Sequence, residues 1–142
     1  MTLVLVGAML ALSLIMGGCG SSDSDGEAAR RKAEFVLDAN AICATAGDVD
    51  PRRALGRHPS PTEFARFVRR VIVPTIQGEV DRIRALTPPE GDEEEISAIL
   101  DSAQAAIDEV EAHPGAVNAR PNPFRESTRL AHSYGLDACG GG

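Results

Sequence analysis

Aromatic residues are scarce in this chain of 142 residues: there are four Phe and one Tyr, and Trp is absent. Hydrophobic residues still make up 43% of the sequence, so we expect one domain with a packed core that is mostly aliphatic and alanine. Basic residues are also few relative to acidic ones, and the net charge is -7. Because nucleic-acid-binding domains need a basic face, we expect no nucleic-acid partner.

The motifs of common catalytic and metal sites are also missing. The sequence has no Cys-x-x-Cys, no haem-attachment motif and no Glu-x-x-His of the kind that holds di-iron centres in helix bundles. Nucleophile-elbow, P-loop and dinucleotide-binding signatures are absent as well. The three histidines lie in separate segments, and we interpret them as solvated side chains. We therefore expect no metal, no cofactor and no enzymatic activity.

The N-terminus has the pattern of a targeting segment. An apolar run from Leu3 to Met16 is followed by two glycines and Cys19, which is typical of a secretory signal and is short for a membrane-spanning helix. The last residues of this segment resemble the bacterial lipobox, in which the cysteine is diacylated after cleavage of the preceding bond. We therefore predict a lipoprotein signal peptide over 1–18 and lipidation of Cys19. An uncleaved anchor and a plain secretory signal are the alternatives.

Two departures from the lipobox pattern accompany this prediction. Met16 stands where leucine is commonest, and no basic residue precedes the apolar run, so we expect a start codon upstream of Met1. The Ser, Asp and Gly residues that follow Cys19 predict a flexible tether over 19–27. The expected location is the outer face of the cell membrane, with a lipid anchor as the membrane contact. Secretion into the medium is the alternative.

Residues 28–142 predict an all-α domain that resembles a four-helix bundle. The first helix should run from about Glu27 to Ala46, with Gly47 as its C-cap. The second should begin after Ser60 with a capping box and continue to Leu86, with a kink at Pro74 because its apolar phase is unbroken there. The other two helices are predicted from apolar periodicity and end signals: the third from Asp92, as cap, to His113, and the fourth from Asn122 to Gly135, with Leu136 in a Schellman-type cap.

Two cysteines remain once Cys19 carries lipid, and each lies near the end of an amphipathic helical pattern. We predict a disulfide between Cys43 and Cys139, since the signal directs them to an oxidising compartment. In a simple up-down bundle these cysteines would lie at opposite ends, so one connection must cross the length of the bundle. The segment 48–59, predicted as a loop, is long enough to do so. A crossing by the loop after His113 is the alternative.

Several short motifs occur together in this chain. They are Asn-Ala-Ile-Cys at 40–43, the mid-helix Pro74, Leu-Thr-Pro-Pro at 86–89, Pro123-Phe124, and Tyr134-Gly135-Leu136 with Cys139-Gly140. In this order the set resembles a family of small, uncharacterised lipoproteins and secreted proteins of high-GC actinobacteria. The resemblance covers residues 33–140. It implies a fold and a location in the cell envelope, and no activity comes with it.

Charge is distributed unevenly along the domain. Arginines dominate 52–70, and nine acids without a basic residue occupy 90–111. One interpretation is that these faces solvate and complement each other. The other is that an anion binds to the arginines Arg52, Arg53, Arg66, Arg69 and Arg70. We expect a non-catalytic binding or interaction module whose partner is an envelope protein or a small ligand. A carrier of a small apolar or anionic ligand within the bundle is the alternative.

Overall fold

The protein is described by a computed structural model that covers residues 22–45, 49 and 51–140. Within these residues the chain is all-α, as predicted, and contains no strand. The α-helices are α1 (Ser22–Thr45), α2 (Pro51–Leu55), α3 (Pro61–Phe67), α4 (Val73–Arg84), α5 (Glu93–Ala112) and α6 (Arg125–Tyr134). A π-helical turn (Val68–Ile72) joins α3 to α4, and a 3-10 helix (Pro114–Asn118) follows α5. The signal segment, Cys19 and the proposed cap Gly47 lie outside the described residues.

The first helix is longer than predicted. It begins at Ser22, so residues 22–27 of the predicted tether are helical. Side chains from Ser24 to Arg30 are exposed, and the first buried one is Phe35. Acidic residues near the N-terminus suit the helix dipole, and Arg31 pairs with Glu27 one turn before it at 2.6 Å. This pair stabilises the helix at Glu27, the last residue of the predicted tether.

The second predicted helix is one continuous helical run from α3 through the π-helical turn to α4, so the expectation that Pro74 would not break it is confirmed. The turn lies directly before Pro74, and the Val73 amide donates to the carbonyl of Val68, five residues back. A proline ring clashes with the carbonyl four residues before it, here that of Arg70. The wider turn accommodates this misfit, in keeping with the occurrence of helix distortions at prolines and at π-bulges. The predicted capping box of Ser60 and Glu63 is present.

The connection between α1 and α3 runs along the bundle, as predicted. Arg82, near the end of α4, donates to the carbonyl of Ile42 and to the hydroxyl of Thr45, both at 3.4 Å. The end of α1 therefore lies beside the end of α4, whereas α3 begins about 30 Å away along the same helical run. The connection is not wholly a loop, because it contains α2, which packs against α3. The prediction of a loop over 48–59 is corrected to that extent.

The remaining helices complete the bundle around an aliphatic core. α5 packs against both α4 and α6, and α1 packs against α4. The rings of Phe35 and Tyr134 meet edge to face, with centroids 6.0 Å apart. The other large buried side chains are Val68, Val73, Val80, Ile83, Ile96, Ile99, Leu100, Ile107, Val110 and Leu136.

The chain after α6 turns back on the bundle through the predicted Schellman cap. Gly135 adopts the left-handed conformation at φ 101°, which glycine reaches without the steric cost of a Cβ. The Leu136 amide then donates to the carbonyl of Ala131 at 2.8 Å, and the Leu136 side chain is buried. This turn directs Cys139 toward α1.

Candidate functional site

The predicted disulfide joins α1 to the segment after α6. Cys43 and Cys139 are bonded, and their Cα atoms are 5.1 Å apart. Asn40, one turn before Cys43, reinforces the link: its amide donates to the carbonyl of Gly135 at 3.0 Å, and its oxygen accepts from the Ala138 amide at 2.8 Å. Sequence reasoning noted Asn40 only as part of a motif. Nothing in the sequence alone indicated that its side chain spans to the C-terminal turn.

A polar cluster of Lys32, Asp92 and Tyr134 joins α1, α5 and α6. The Tyr134 hydroxyl donates to the Asp92 carboxylate at 2.7 Å, and the Lys32 ammonium lies 3.1 Å from the same oxygen. That ammonium also lies 4.1 Å from the centroid of the Tyr134 ring, a cation–π distance. Asp92 is the N-cap residue of α5, as predicted, but its side chain makes no cap hydrogen bond. The neighbouring tyrosine and lysine engage the carboxylate instead.

The pKa values in this cluster follow from its hydrogen bonds. The pKa of Asp92 is lowered, first by the hydrogen bond from Tyr134 and then by the one from Lys32. The pKa of Tyr134 is raised well above its ordinary value, first by burial and then by donation to a carboxylate. A tyrosine that holds its proton this firmly is a poor acid, so the cluster is suited to fastening three helices together.

An open groove of about 550 Å³ lies on α3 and the turn after it. Its lining comprises Pro61, Thr62, Ala65, Arg66, Arg69 and Arg70, and we call it the arginine groove. Three of the five predicted anion-binding arginines therefore meet at one place. The other two, Arg52 and Arg53, lie on α2 outside the lining, although α2 packs against α3.

The three arginines of the groove have different surroundings. Arg69 donates from Nε to the carbonyl of Glu111 at 2.9 Å and from Nη2 to that of Ala112 at 3.3 Å. These carbonyls end α5, so Arg69 supplies charge and hydrogen bonds at a helix C-terminus. Arg66 and Arg70 are exposed, and neither makes a hydrogen bond or an ion pair with any residue that the structure describes, although the charge of Arg66 helps to lower the pKa of Glu63. Two guanidinium groups therefore remain available beside the groove.

The acidic helix α5 does not neutralise these two arginines. Its contacts with basic side chains of the other described helices involve Arg84, which lies 3.9 Å from Asp101 near the opposite end of α4, and Arg69, which binds main-chain carbonyls. Glu93 accepts a hydrogen bond from the Gly91 amide in its own turn. The arginine groove and the acids of α5 are thus separate surface features, and mutual complementation does not account for Arg66 and Arg70.

A second depression, of about 330 Å³, lies where α1 passes the end of α4. Arg31, Glu34, Phe35, Asp38 and the segment 86–89 line it. Like the arginine groove, it opens onto the surface. A carrier would need an apolar cavity inside the bundle, and the second depression reaches the core only at Phe35, with charged residues in the rest of its lining on α1.

His113, His132 and Ser133 have local partners. The Nδ1 atom of His132 lies 3.1 Å from the carboxylate of Asp137, and that of His113 lies 3.3 Å from Glu109. Ser133 donates to the carbonyl of Arg129, one turn back, rather than to His132. Among the described residues, no group of three or more His, Cys, Asp or Glu side chains is placed to hold a metal ion.

Comparison of the chain with protein-family models, with curated proteins and with the solved structures finds no match. Over the residues described, no helix has both the length and the apolar character needed to cross a membrane.

Proposed function

We propose that this protein is a non-catalytic binding module of the cell envelope, anchored by lipid at Cys19 to the outer face of the membrane, and that it binds an anionic partner in the arginine groove. The observation that carries the proposal is the placement of Arg66 and Arg70. Both are exposed and make no hydrogen bond or ion pair in the described part of a chain whose net charge is -7, and the acid that interacts with Arg66, Glu63, is itself exposed. We also propose that this chain is related to the actinobacterial lipoproteins that its motifs resemble.

The chemistry of the groove supports an anion as its ligand. A guanidinium group is planar and presents a fork of donors that matches carboxylate and phosphate oxygens. Arg66 and Arg70 line the same groove, so both can reach the same ligand. Arg69 holds the groove in place by binding the end of α5. The groove thus combines two guanidinium groups that make no ion pair, those of Arg66 and Arg70, with a third, that of Arg69, which is fixed by hydrogen bonds to α5.

The anchor is supported by the sequence and fits the covalent structure. The apolar run before Cys19 directs the chain across the membrane, and a disulfide such as Cys43–Cys139 persists in the oxidising compartment on the far side. Mass spectrometry of the mature protein should find Cys19 acylated at the N-terminus. Cys19→Ala should release a folded domain from membranes. An intact N-terminus, or cleavage that leaves an unmodified thiol, would contradict the anchor.

Binding at the groove can be tested by site-specific photo-crosslinking in intact cells. A photoreactive residue at Thr62, inside the groove, should capture a defined species. The same residue at the exposed Ala105 on α5 should not. Arg66→Gln combined with Arg70→Gln should abolish capture at Thr62, because the anion loses the hydrogen-bond donors of both guanidinium groups. Equal capture at both positions, or capture that persists in the double variant, would refute the groove as the binding site.

A further inference from the structure

We propose that the exposed first part of α1, residues 22–31, is a rigid spacer that holds the domain upright on the membrane with the arginine groove at its far end. The proposal rests on the proposed function, since it takes the lipid anchor at Cys19 from there. It adds the way in which the anchor and the groove are connected, and the side from which a ligand reaches the groove.

The spacer continues a helix that is packed further along the chain. α1 runs without a break from Ser22 to Thr45, and its first buried side chain is that of Phe35. Residues 27–34 are all Ala, Arg, Lys or Glu, which are among the strongest helix formers, and Glu27 pairs with Arg31 one turn later. Because the later part of α1 is already held in the bundle, the spacer extends an existing helix and needs no nucleation of its own. We therefore expect it to stay helical outside the bundle.

The polar cluster of Lys32, Asp92 and Tyr134 fixes α1 where it leaves the bundle. The Lys32 ammonium lies 3.1 Å from the Asp92 carboxylate at the start of α5 and 4.1 Å from the centroid of the Tyr134 ring on α6. Three residues later, Phe35 is buried and its ring packs edge to face on that of Tyr134. Adjacent turns of α1 are thus held by two other helices, so the spacer cannot swing about its base without breaking these contacts.

The direction of α1 places the spacer and the groove at opposite ends of the bundle. Lys32 contacts the start of α5, whereas Arg69 of the groove binds the carbonyls that end α5. Further along α1, the carbonyl of Ile42 accepts from Arg82, whose guanidinium also binds the carbonyl of Gly78, one turn toward the groove on α4. After Lys32, α1 therefore runs toward the groove end, and the spacer before Lys32 points away from it.

The resulting height places the groove beyond the reach of the anchoring membrane. The 20 residues of α5 span about 30 Å, and the spacer adds about 15 Å, so the groove lies about 45 Å from the anchored end of α1. Electrostatic attraction to lipid headgroups decays over a Debye length of about 8 Å at physiological ionic strength. In the upright domain, an anion must therefore reach Arg66 and Arg70 from the side that faces away from the membrane.

The spacer also keeps the acidic end of the domain off the headgroups. The exposed acids Glu90, Glu94 and Glu95 lie at or just before the start of α5, which is the end that faces the membrane. An anionic lipid surface would repel these carboxylates at short range. A spacer of about 15 Å separates them from that surface by about two Debye lengths. A chain of net charge -7 can therefore stand on a membrane that contains anionic lipid.

The test measures energy transfer in the full acylated chain on vesicles of uncharged lipid whose headgroups carry an acceptor dye. A donor dye is introduced as an unnatural amino acid, either at Thr62 in the groove or at the exposed Glu94 of α5. In the upright domain these positions differ in height by more than about 25 Å, so transfer from Glu94 should be at least about twofold stronger than transfer from Thr62.

A break in the spacer should remove this difference. Ala29→Pro eliminates the hydrogen bond to the carbonyl of Asp25 and clashes with that carbonyl, so the domain can tilt and the difference should fall by at least about half. The matched control Ala29→Gln keeps a helix former at the same exposed site and should leave the difference unchanged. Because Ala29 lies outside the packed bundle, both variants should have the melting temperature of the unmodified chain.

Other outcomes would overturn the proposal. Equal transfer from the two positions in the unmodified chain, or a difference that Ala29→Pro does not reduce, would show that the spacer does not set the orientation. Stronger transfer from Thr62 than from Glu94 on vesicles of anionic lipid would show that the groove binds the anchoring membrane. In these cases acylation of Cys19 and capture at Thr62 could still succeed, so the proposed function would survive. A chain that does not attach to the vesicles at all would refute the anchor, and with it both proposals.

Discussion

Replacing Cys43 by serine removes the covalent link between α1 and the C-terminal turn, and its effect can be worked out from the structure. The two cysteines are separated by 96 residues, and closing a loop of that length in the unfolded chain corresponds to about 4–5 kcal/mol in the chain-entropy picture. A domain of this size has a total unfolding free energy of about 5–15 kcal/mol. We therefore expect Cys43→Ser to lower the melting temperature by roughly 10–20 °C.

The native contacts around the bridge determine how the variant should behave below its melting temperature. The side chain of Asn40 keeps two hydrogen bonds to the turn after α6, and Phe35 and Ala39 remain in the core. The variant should therefore stay folded at low temperature and lose stability mainly because its unfolded state gains entropy. Its far-ultraviolet circular dichroism at low temperature should match that of the unmodified protein.

Thermal melts followed by circular dichroism, with and without reductant, provide the assay. Cys139→Ser and the double variant should have the same melting temperature as Cys43→Ser, since each removes the same single bond. Reductant should bring the unmodified protein down to the same temperature and leave the variants unchanged. A melting temperature for Cys43→Ser within about 2 °C of the unmodified protein would refute the entropic argument.

Two further predictions concern single side chains. Asp92→Asn should destabilise the protein by about 1 kcal/mol at pH 7, because the hydrogen bond from Tyr134 then meets a neutral acceptor and Lys32 loses its counter-ion. The pKa of Asp92 is lower in the folded than in the unfolded state, so its contribution is complete above the unfolded value of about 4 and is lost as the pH falls through the folded value. Denaturant melts should therefore show the difference at pH 7 and little of it near pH 2; a constant difference would contradict the assignment. Arg69→Ala should lower the unfolding free energy by about 0.5–1 kcal/mol through loss of the α5 cap, whereas Arg66→Ala should change it by less than about 0.5 kcal/mol. Equal losses in the same denaturant melts would remove the distinction between the two arginines.

Much of the fold was predictable because it depends on local patterns. The apolar phase from Phe64 to Leu86 continues past Pro74, and this alone predicted one helix instead of two. The capping box at Ser60 and the left-handed Gly135 are likewise set by residues within one turn. The disulfide followed from cysteine count and compartment, and it required the crossover connection that the structure contains.

Contacts between distant segments could not be predicted in this way. Asp92 had the spacing of a helix cap, but folding brings Tyr134, 42 residues away in sequence, within hydrogen-bond distance of its carboxylate. The hydrogen bond from Tyr134 and the charge of Lys32 then stabilise the Asp92 carboxylate more than a local cap hydrogen bond would. The three residues lie too far apart in the sequence for a local pattern to reveal the cluster. The length of α1 was underestimated for a different reason: the composition of 20–26 indicated a linker, whereas residues 22–26 are helical.

The arginines show the same division between sequence and tertiary structure. Their clustering in the sequence, together with the net negative charge, determined that this chain has a basic patch on an acidic protein. Only the packing of the end of α5 beside the π-helical turn decided that Arg69 would bind main-chain carbonyls while Arg66 and Arg70 made no hydrogen bond or ion pair. The physical reason is that a charge is encoded by its residue, whereas its partner depends on which helix ends the fold brings within reach of the side chain.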